Sequence, residues 1–586
     1  MHKGEAGGKN EVRCFIGGGT SPPPPQGDLI TPPDTFLQSE QQEGTVLEDD
    51  FQDPVLGTLE SFGVTVEEYM SFMASTEEVG GSVAMITQYA RAWARNFAHD
   101  PDVHFLVKLA ATGAQWEYST EPSEDWFEVP NYVPDEHWDK VDESMRDDIT
   151  TKRIVAVSSG RVVGLIAIGV VDKEHSGFVK VRIISDYSRP EGTSLNDSIV
   201  IEKVKFETVK SAYPYMLPHY FMAKIDLTKA YRSVPVAMQF WERQGFQWDD
   251  KIYMDLRMPF GNKAAPGIFH RITMAIQRYM HSVGFPGVVG YLDDFLIIAK
   301  SHSECLRGYN ILLKFLRQLG FEVNEGKCVL PCQSLIFLGI QLDTNINGAV
   351  MVSLCKDKVA RVMEGCSEMC GLQWVSMKKL ESHLGLLVFC SQVVPGASLY
   401  LRSGFSLLHQ GVTVPGYKGF LFVTREFALD MAWWVKFLGV FNGKRVRLDK
   451  PVVLPSYFTL DASTVTGMGG FLEGKYFAIV WEEFMQVQRK PFYPFKDEAT
   501  SHINYLELFA VYWALRVWGS IMQGKRLCLW TDSMVVRGMM RRFWGKSTFI
   551  PLLKEIFVMT VKYDVSFQVE YIHTKSNSIV YFYYIY

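Results

Sequence analysis

Residues 288–299 read Val-Val-Gly-Tyr-Leu-Asp-Asp-Phe-Leu-Ile-Ile-Ala. Two apolar, β-type runs flank a pair of acids. The pattern predicts a hairpin with Asp293 and Asp294 at its tip. No other stretch of the chain constrains the fold as tightly. Adjacent carboxylates repel, so a cation bound between them is stabilising, and hard oxygen ligands of this kind suit Mg²⁺. The alternative is an acidic turn that only joins two buried strands.

Two further segments precede the hairpin. Ala223-Lys224-Ile225-Asp226 is a short strand-like stretch ending in an acid, with Tyr231 five positions later. Pro259-Phe260-Gly261-Asn262-Lys263-Ala264-Ala265-Pro266-Gly267 is a Gly/Pro turn that opens into a helical pattern from Ile268 to Met280. Taken singly, the first could be a helix N-cap and the second an ordinary turn.

In this order and spacing the three segments resemble the A, B and C motifs of reverse transcriptases. Tyr291-Leu292-Asp293-Asp294 matches that family's Tyr-x-Asp-Asp box. Val181 to Pro190 resembles the fingers segment that cradles the incoming nucleotide. Asn324-Glu325-Gly326-Lys327 and Phe337-Leu338-Gly339-Ile340 resemble the D and E motifs. The phrases DYSRPEGTSLND, FWERQGFQWDDKIYMDLRMPFG and HLGLLVFCSQVVPG are most similar to DIRS-type (tyrosine-recombinase) retroelements.

The resemblance implies nucleotide addition, an in-line attack of a primer 3′ hydroxyl on an α-phosphate. Two ions about 4 Å apart hold the attacking and leaving oxygens. Asp226 and Asp293 are the expected bridging ligands and Asp294 the third acid. Two Mg²⁺ per active site are expected, with Mn²⁺ as an alternative ion. Lys180 and Arg182 lie two apart on a strand expected after a turn at His175-Ser176-Gly177, so both face one side and suit a triphosphate clamp. Tyr231 matches the sugar gate, a ring that leaves no space for a 2′ hydroxyl. Gly261 and Pro266 belong to the substrate-side turn, and Lys327 matches a position proposed as general acid toward pyrophosphate.

A second acidic series follows. Phe458-Thr459-Leu460-Asp461 is a strand ending in an acid, Asn504-Tyr505-Leu506-Glu507 opens an apolar-striped helix, and Leu527 to Asp532 is another strand ending in an acid. Asp461, Glu507 and Asp532 in this order resemble ribonuclease H, which uses clustered acids to hold two metals. The structural alternatives are a capping box for Glu507 and a helix cap for Asp532 and Ser533. His573 matches a helper position. The family continues into Ala-Asp, where this sequence reads Val580-Tyr581-Phe582-Tyr583-Tyr584-Ile585-Tyr586. The expectation is a truncated domain whose fourth acid would fall at Tyr581, with impaired hydrolysis.

The net charge of −6 is unevenly divided. Residues 1–150 hold 29 acidic and 8 basic residues, and the remainder holds 36 and 51. A basic body suits contacts to a nucleic-acid backbone. The Gly-, Pro- and acid-rich leader is expected to be disordered. Scattered cysteines, no secretory leader and no membrane-length apolar run point to an intracellular protein with reduced thiols, nuclear or cytoplasmic.

The resulting expectation is an α+β protein, a right-hand polymerase of fingers, palm and thumb followed by a connection and a ribonuclease H-like α/β domain. Its segments are a leader (1–58), a small helical region (59–136), fingers and palm (137–345), thumb and connection (346–450) and the ribonuclease H-like domain (451–586). The expected partners are an RNA template, a DNA primer, an RNA–DNA hybrid and dNTPs, with no membrane. The other readings are a decayed element copy that folds and binds nucleic acid without efficient catalysis, and an RNA-templated RNA polymerase, against which Tyr231 and the ribonuclease H region argue.

Overall fold

The structure, a computed structural model, describes residues 59–577 except Glu124, 176–177, 413–418, 441–442, 447–457 and 488–493. The leader, the turn at Ser176-Gly177 and the terminal aromatic run lie outside the described residues. The side chain of Lys180 does too, although its backbone is in a strand. The chain divides into two compact units, one within Asp53–Leu448 and one within Asp449–Tyr586.

In the first unit, helix α1 (Trp138–Thr150) packs Val141 and Met145 onto a three-stranded sheet, Ile154–Val157, Gly245–Trp248 and Lys251–Asp255. The hairpin β1 (Ala167–His175) and β2 (Phe178–Asp186) follows. At the centre lies an antiparallel sheet of β3 (Phe221–Asp226), β4 (Val288–Tyr291), β5 (Asp294–Ala299) and β6 (Val329–Cys332). Its order is β6-β3-β5-β4. Val288, Val289 and Phe295 to Ile298 are all buried, which explains why these runs are apolar without alternation.

Two helices back this sheet, α2 (Ala265–Ser282) and α3 (His302–Gln318). Pro266 sits in the first turn of α2, where a missing N–H costs nothing. Ile268, Phe269, Ile272, Ile276 and Met280 form its buried stripe. The helices Val66–Glu78, Met85–Gln88, Ala90–Asn96 and Val103–Thr112 share the same apolar core with the sheet and α3. Trp93, fully buried, donates from Nε1 to the Leu319 carbonyl at 2.9 Å. Arg271 and Arg278 of α2 pair with Asp102 and Asp100 at 2.6 and 2.7 Å.

The hairpin Ser334–Phe337 and Ile340–Ile346 turns at Leu338 and Gly339, both with positive φ. It continues into Ala349–Leu354, which pairs with Lys444–Val446. Between these two strands run the helices Lys356–Gly371, Met377–Cys390, Arg402–Val412 and Arg425–Val440. Leu380, Leu384 and Leu387 are buried as their spacing requires.

The second unit is a five-stranded mixed sheet: β7 (Phe458–Ala462), β8 (Gly467–Leu472), β9 (Lys475–Val480), β10 (Arg526–Thr531) and β11 (Ser566–Tyr571). Its order is β9-β8-β7-β10-β11. The β7-β8 and β8-β9 pairs are antiparallel, and β7-β10 and β10-β11 are parallel. Helix α4 (Ile503–Met522) packs on this sheet and buries Leu506, Ala510 and Ala514. Among the described residues, no helix is long and apolar enough to cross a membrane.

Candidate active sites

The hairpin tip is a two-residue turn, with Leu292 in the left-handed region at φ 51° and Asp294 already in β5. Strand pairing then does what no local pattern could. Asp294 lies directly opposite Asp226 across β5 and β3. The Leu227 N–H donates to the Asp293 carbonyl at 3.1 Å. Three acids separated by nearly 70 residues therefore share one edge of the sheet. Asp226 is 5% exposed, and its carbonyl accepts from Asn324 N–H at 2.8 Å. It follows no cap geometry: the next helix, Ala230–Ser233, has Lys229 at its N-cap.

The carboxylates are met by lysines. Lys327 Nζ lies 2.7 Å from Asp226 Oδ1. Lys224 Nζ lies 2.8 Å from Asp294 Oδ1, a diagonal contact across the antiparallel pair. Burial pushes the Asp293 carboxyl above its ordinary range; the Asp226 charge adds to this, and Lys327 and Arg182 oppose it. Burial also raises Asp294, against the pull of Lys224. Strand register thus brings the three acids to one edge of the sheet, with the Asp294 carboxylate turned to a lysine. Lys224 was not singled out in the sequence. Its signal was there, since it lies two residues before Asp226 and so on the same strand face.

A cleft of about 570 Å³ adjoins this edge, lined by Arg182, Tyr231, Leu292, Asp293 and Lys327 among others. Ser185 at the end of β2 and Pro259 and Phe260 form one wall. Lys140, Ser144 and Asp148, four apart along α1, contribute another. Asp148 is fixed by Arg232 at 2.9 Å and Arg153 at 3.1 Å. Tyr231 is half-buried between Phe260 and Phe269, with ring centroids 5.1 and 5.5 Å away. Burial first, then the Asp293 charge, raises its phenol. Gly261 has φ 122° and belongs to the turn behind this wall, and Pro266 lies beyond it in α2. None of the three α1 residues was foreseen, because a helix that lines a cleft has the same periodicity as one on a surface.

In the second unit Asp461 is the penultimate residue of β7, Glu507 lies on α4 and Asp532 follows β10. One oxygen from each lies within 4.8 Å of the others, which among the described residues is the one such group of three. Burial first, then the Asp532 charge, raises Asp461 to about 7. Burial and both aspartates push Glu507 well up. Glu507 Oε1 accepts from Ala462 N–H at 3.3 Å. The capping alternative fails for Glu507, since His502 caps α4, and holds in part for the other pair: Ser533 caps Met534–Arg542 while Asp532 does not. Three carboxyl oxygens held this close, with two of the groups raised by burial and by one another's charge, fit a divalent cation with oxygen ligands. His573 is exposed in the segment after β11, and Tyr581 lies outside the described residues.

Residues 190–342 match the family model described as reverse transcriptase (RNA-dependent DNA polymerase). A Pro-Pol polyprotein of feline foamy virus is 26% identical over 188 residues, 32% of this chain and 15% of that protein. The Tf2-3 transposon polyprotein of Schizosaccharomyces pombe is 25% identical over 192 residues, 32% of this chain and 13% of that protein. The chain thus aligns with about a seventh of the length of these relatives. Among solved structures, a foamy viral protease-reverse transcriptase with an RNA/DNA hybrid has a TM-score of 0.47 at 16% identity, covering 90% of this chain and 64% of that one. A complex of the foamy viral enzyme with double-stranded DNA has a TM-score of 0.48 at 15% identity, covering 90% and 84%.

Proposed function

We propose that the reverse transcriptase domain matched at residues 190–342 works here as an RNA-directed DNA polymerase of a retroelement, using two divalent ions, Mg²⁺ by preference. The observation that carries this reading is the junction of Asp226 and Asp293 beside a cleft lined by Arg182, Tyr231 and Lys327. Asp226 and Asp293 would hold the ions, which neutralise charge on the attacking and leaving oxygens. Arg182, with Lys180, supplies positive charge to the triphosphate, and Tyr231 closes the space beside the sugar 2′ carbon. Lys327 reaches Asp226 now and is placed to hand a proton to pyrophosphate.

The substrates in this reading are an RNA template, a DNA primer and dNTPs. The second unit in this reading is ribonuclease H-like, with Asp461, Glu507 and Asp532 as cation ligands and impaired hydrolysis of the RNA–DNA hybrid. The narrower placement with DIRS-type elements rests on the sequence phrases given above.

Primer extension on an RNA template with dNTPs and Mg²⁺ tests the reading. Extension by the wild-type chain should fall at least about a thousandfold in Asp293→Asn, because a metal supplies several kcal/mol. A folded wild-type protein that extends nothing but retains hybrid binding would instead favour a decayed copy.

A further inference from the structure

We propose that Asn196, in the fingers, is a positioning residue that sets the sugar gate through the Phe260–Lys263 turn. This rests on the polymerase reading above. Asn196 lies in the short helix Leu195–Ser198, and its backbone N–H donates to the Tyr187 carbonyl at 2.9 Å. Its side chain straddles the turn. Nδ2 donates to the Gly261 carbonyl at 2.9 Å and to Ser188 Oγ at 3.0 Å. Oδ1 accepts from Lys263 N–H at 2.9 Å. One donor and one acceptor on a single planar group are needed, which an amide has and a carboxylate or methyl group lacks.

The same turn is gripped a second time. Ser185 N–H donates to the Phe260 carbonyl at 2.8 Å. A Cβ at Gly261 would lie 1.8 Å from the Ser185 carbonyl oxygen. The fingers backbone therefore touches the turn without room for a side chain, and Asn196 closes the other side. Inside the turn, Asn262 Oδ1 accepts from Ala264 N–H at 2.8 Å, just before α2.

What this holds is the ring of Phe260. That ring is 39% exposed and forms one side of the slot for Tyr231. The other side is Phe269, fully buried on α2 and fixed by the core. Phe269 needs no further support. Phe260 is only as fixed as its turn, and Asn196 supplies the side-chain part of the grip on that turn, beside the Ser185 backbone. A gate works by leaving no space, so a small displacement of Phe260 opens room beside the sugar.

The test compares the full-length chain with Asn196→Ala, Asn196→Asp, Phe260→Ala and the double variant Asn196→Ala/Phe260→Ala. The readouts are single-nucleotide kcat and KM for dNTP and for rNTP, with thermal midpoints measured alongside. Asn196→Ala should lower dNTP-over-rNTP discrimination and raise the dNTP KM, each by roughly tenfold, with little change in the midpoint. Phe260→Ala should do the same, and the double variant should be no worse than either, because both act through one ring. Asn196→Asp keeps the acceptor for Lys263 and should fall between, which also covers an alanine variant that fails to fold. Unchanged discrimination in Asn196→Ala and Asn196→Asp, or effects that multiply in the double variant, overturns the proposal alone. Wild-type protein that extends no primer overturns the polymerase reading and this proposal with it.

Discussion

Asp293 and Asp294 are adjacent in sequence and meet different surroundings. Asp293 faces the cleft with Asp226, Lys327 and Arg182 in electrostatic reach. Asp294 is turned to Lys224 at 2.8 Å. Asp294→Asn should therefore cost primer extension less than Asp293→Asn, by roughly tenfold or more, and Lys224→Met should cost more in the wild type than in Asp294→Asn. Equal losses for the two asparagine variants would count against the separation of roles. The Asp461, Glu507 and Asp532 triad gives a pH prediction. Asp461 is raised from 3.8 to about 7, and Glu507 is raised too. The folded state holds these protons more tightly than the unfolded chain. That stabilisation is full below about pH 4 and is lost as pH rises toward 7. Without divalent ions, the melting temperature of the C-terminal unit should fall between pH 5 and pH 8. Mg²⁺ should restore it by at least about 3 °C at pH 8 and by less at pH 5. Asp461→Asn should flatten both dependences, as read by calorimetry of the full chain.

At the level of elements, the β4–β5 hairpin shows why short apolar runs were legible. Both strands are buried, so their composition reports position directly. Gly290 in β4 has a cause visible only in the fold. A Cβ there would lie 2.5 Å from Thr273 Cγ2 on α2, and its N–H donates to Gln277 Oε1 at 2.8 Å. Gly290→Val should destabilise the first unit by about 1–3 kcal/mol through overpacking, measured by urea unfolding, and should disturb the acids next to it. Helix α4 shows where local signals mislead. Asn504 and Glu507 have capping-box spacing, but His502 is the cap and Glu507 reaches β7 instead. Spacing along a helix fixes which residues share a face, and the partner across that face is set by packing.

For the whole molecule, the helices between Val66 and Thr112 are the main surprise. The helical period of Tyr69, Phe72, Met73, Ile86, Tyr89, Ala90 and Trp93 predicts helices here, and the structure buries Tyr69, Phe72, Ile86, Ala90 and Trp93 in the core of the central sheet, leaves Met73 partly buried and exposes Tyr89. Trp93→Ala removes a fully buried ring and its bond to Leu319. It should cost about 3–5 kcal/mol, seen as a lower urea midpoint for the first unit. A version beginning at residue 137 should lose the cooperative unfolding of that unit, because Leu312, Phe315, Leu316 and Phe321 would lose their cover.

By itself the sequence determined which residues carry chemistry and which segments hold them: acids at strand ends, a Gly/Pro turn opening a helix, apolar runs with strand or helix periods. These follow from interactions within a few residues, where chain geometry fixes direction. The tertiary structure alone decided which charges meet. Lys224 on Asp294, Lys327 on Asp226, Asn196 across the Gly261 turn and the α1 wall of the cleft all depend on strand register and on packing between segments far apart in the chain. Register and packing minimise the free energy of the whole core, and no window of sequence contains that sum.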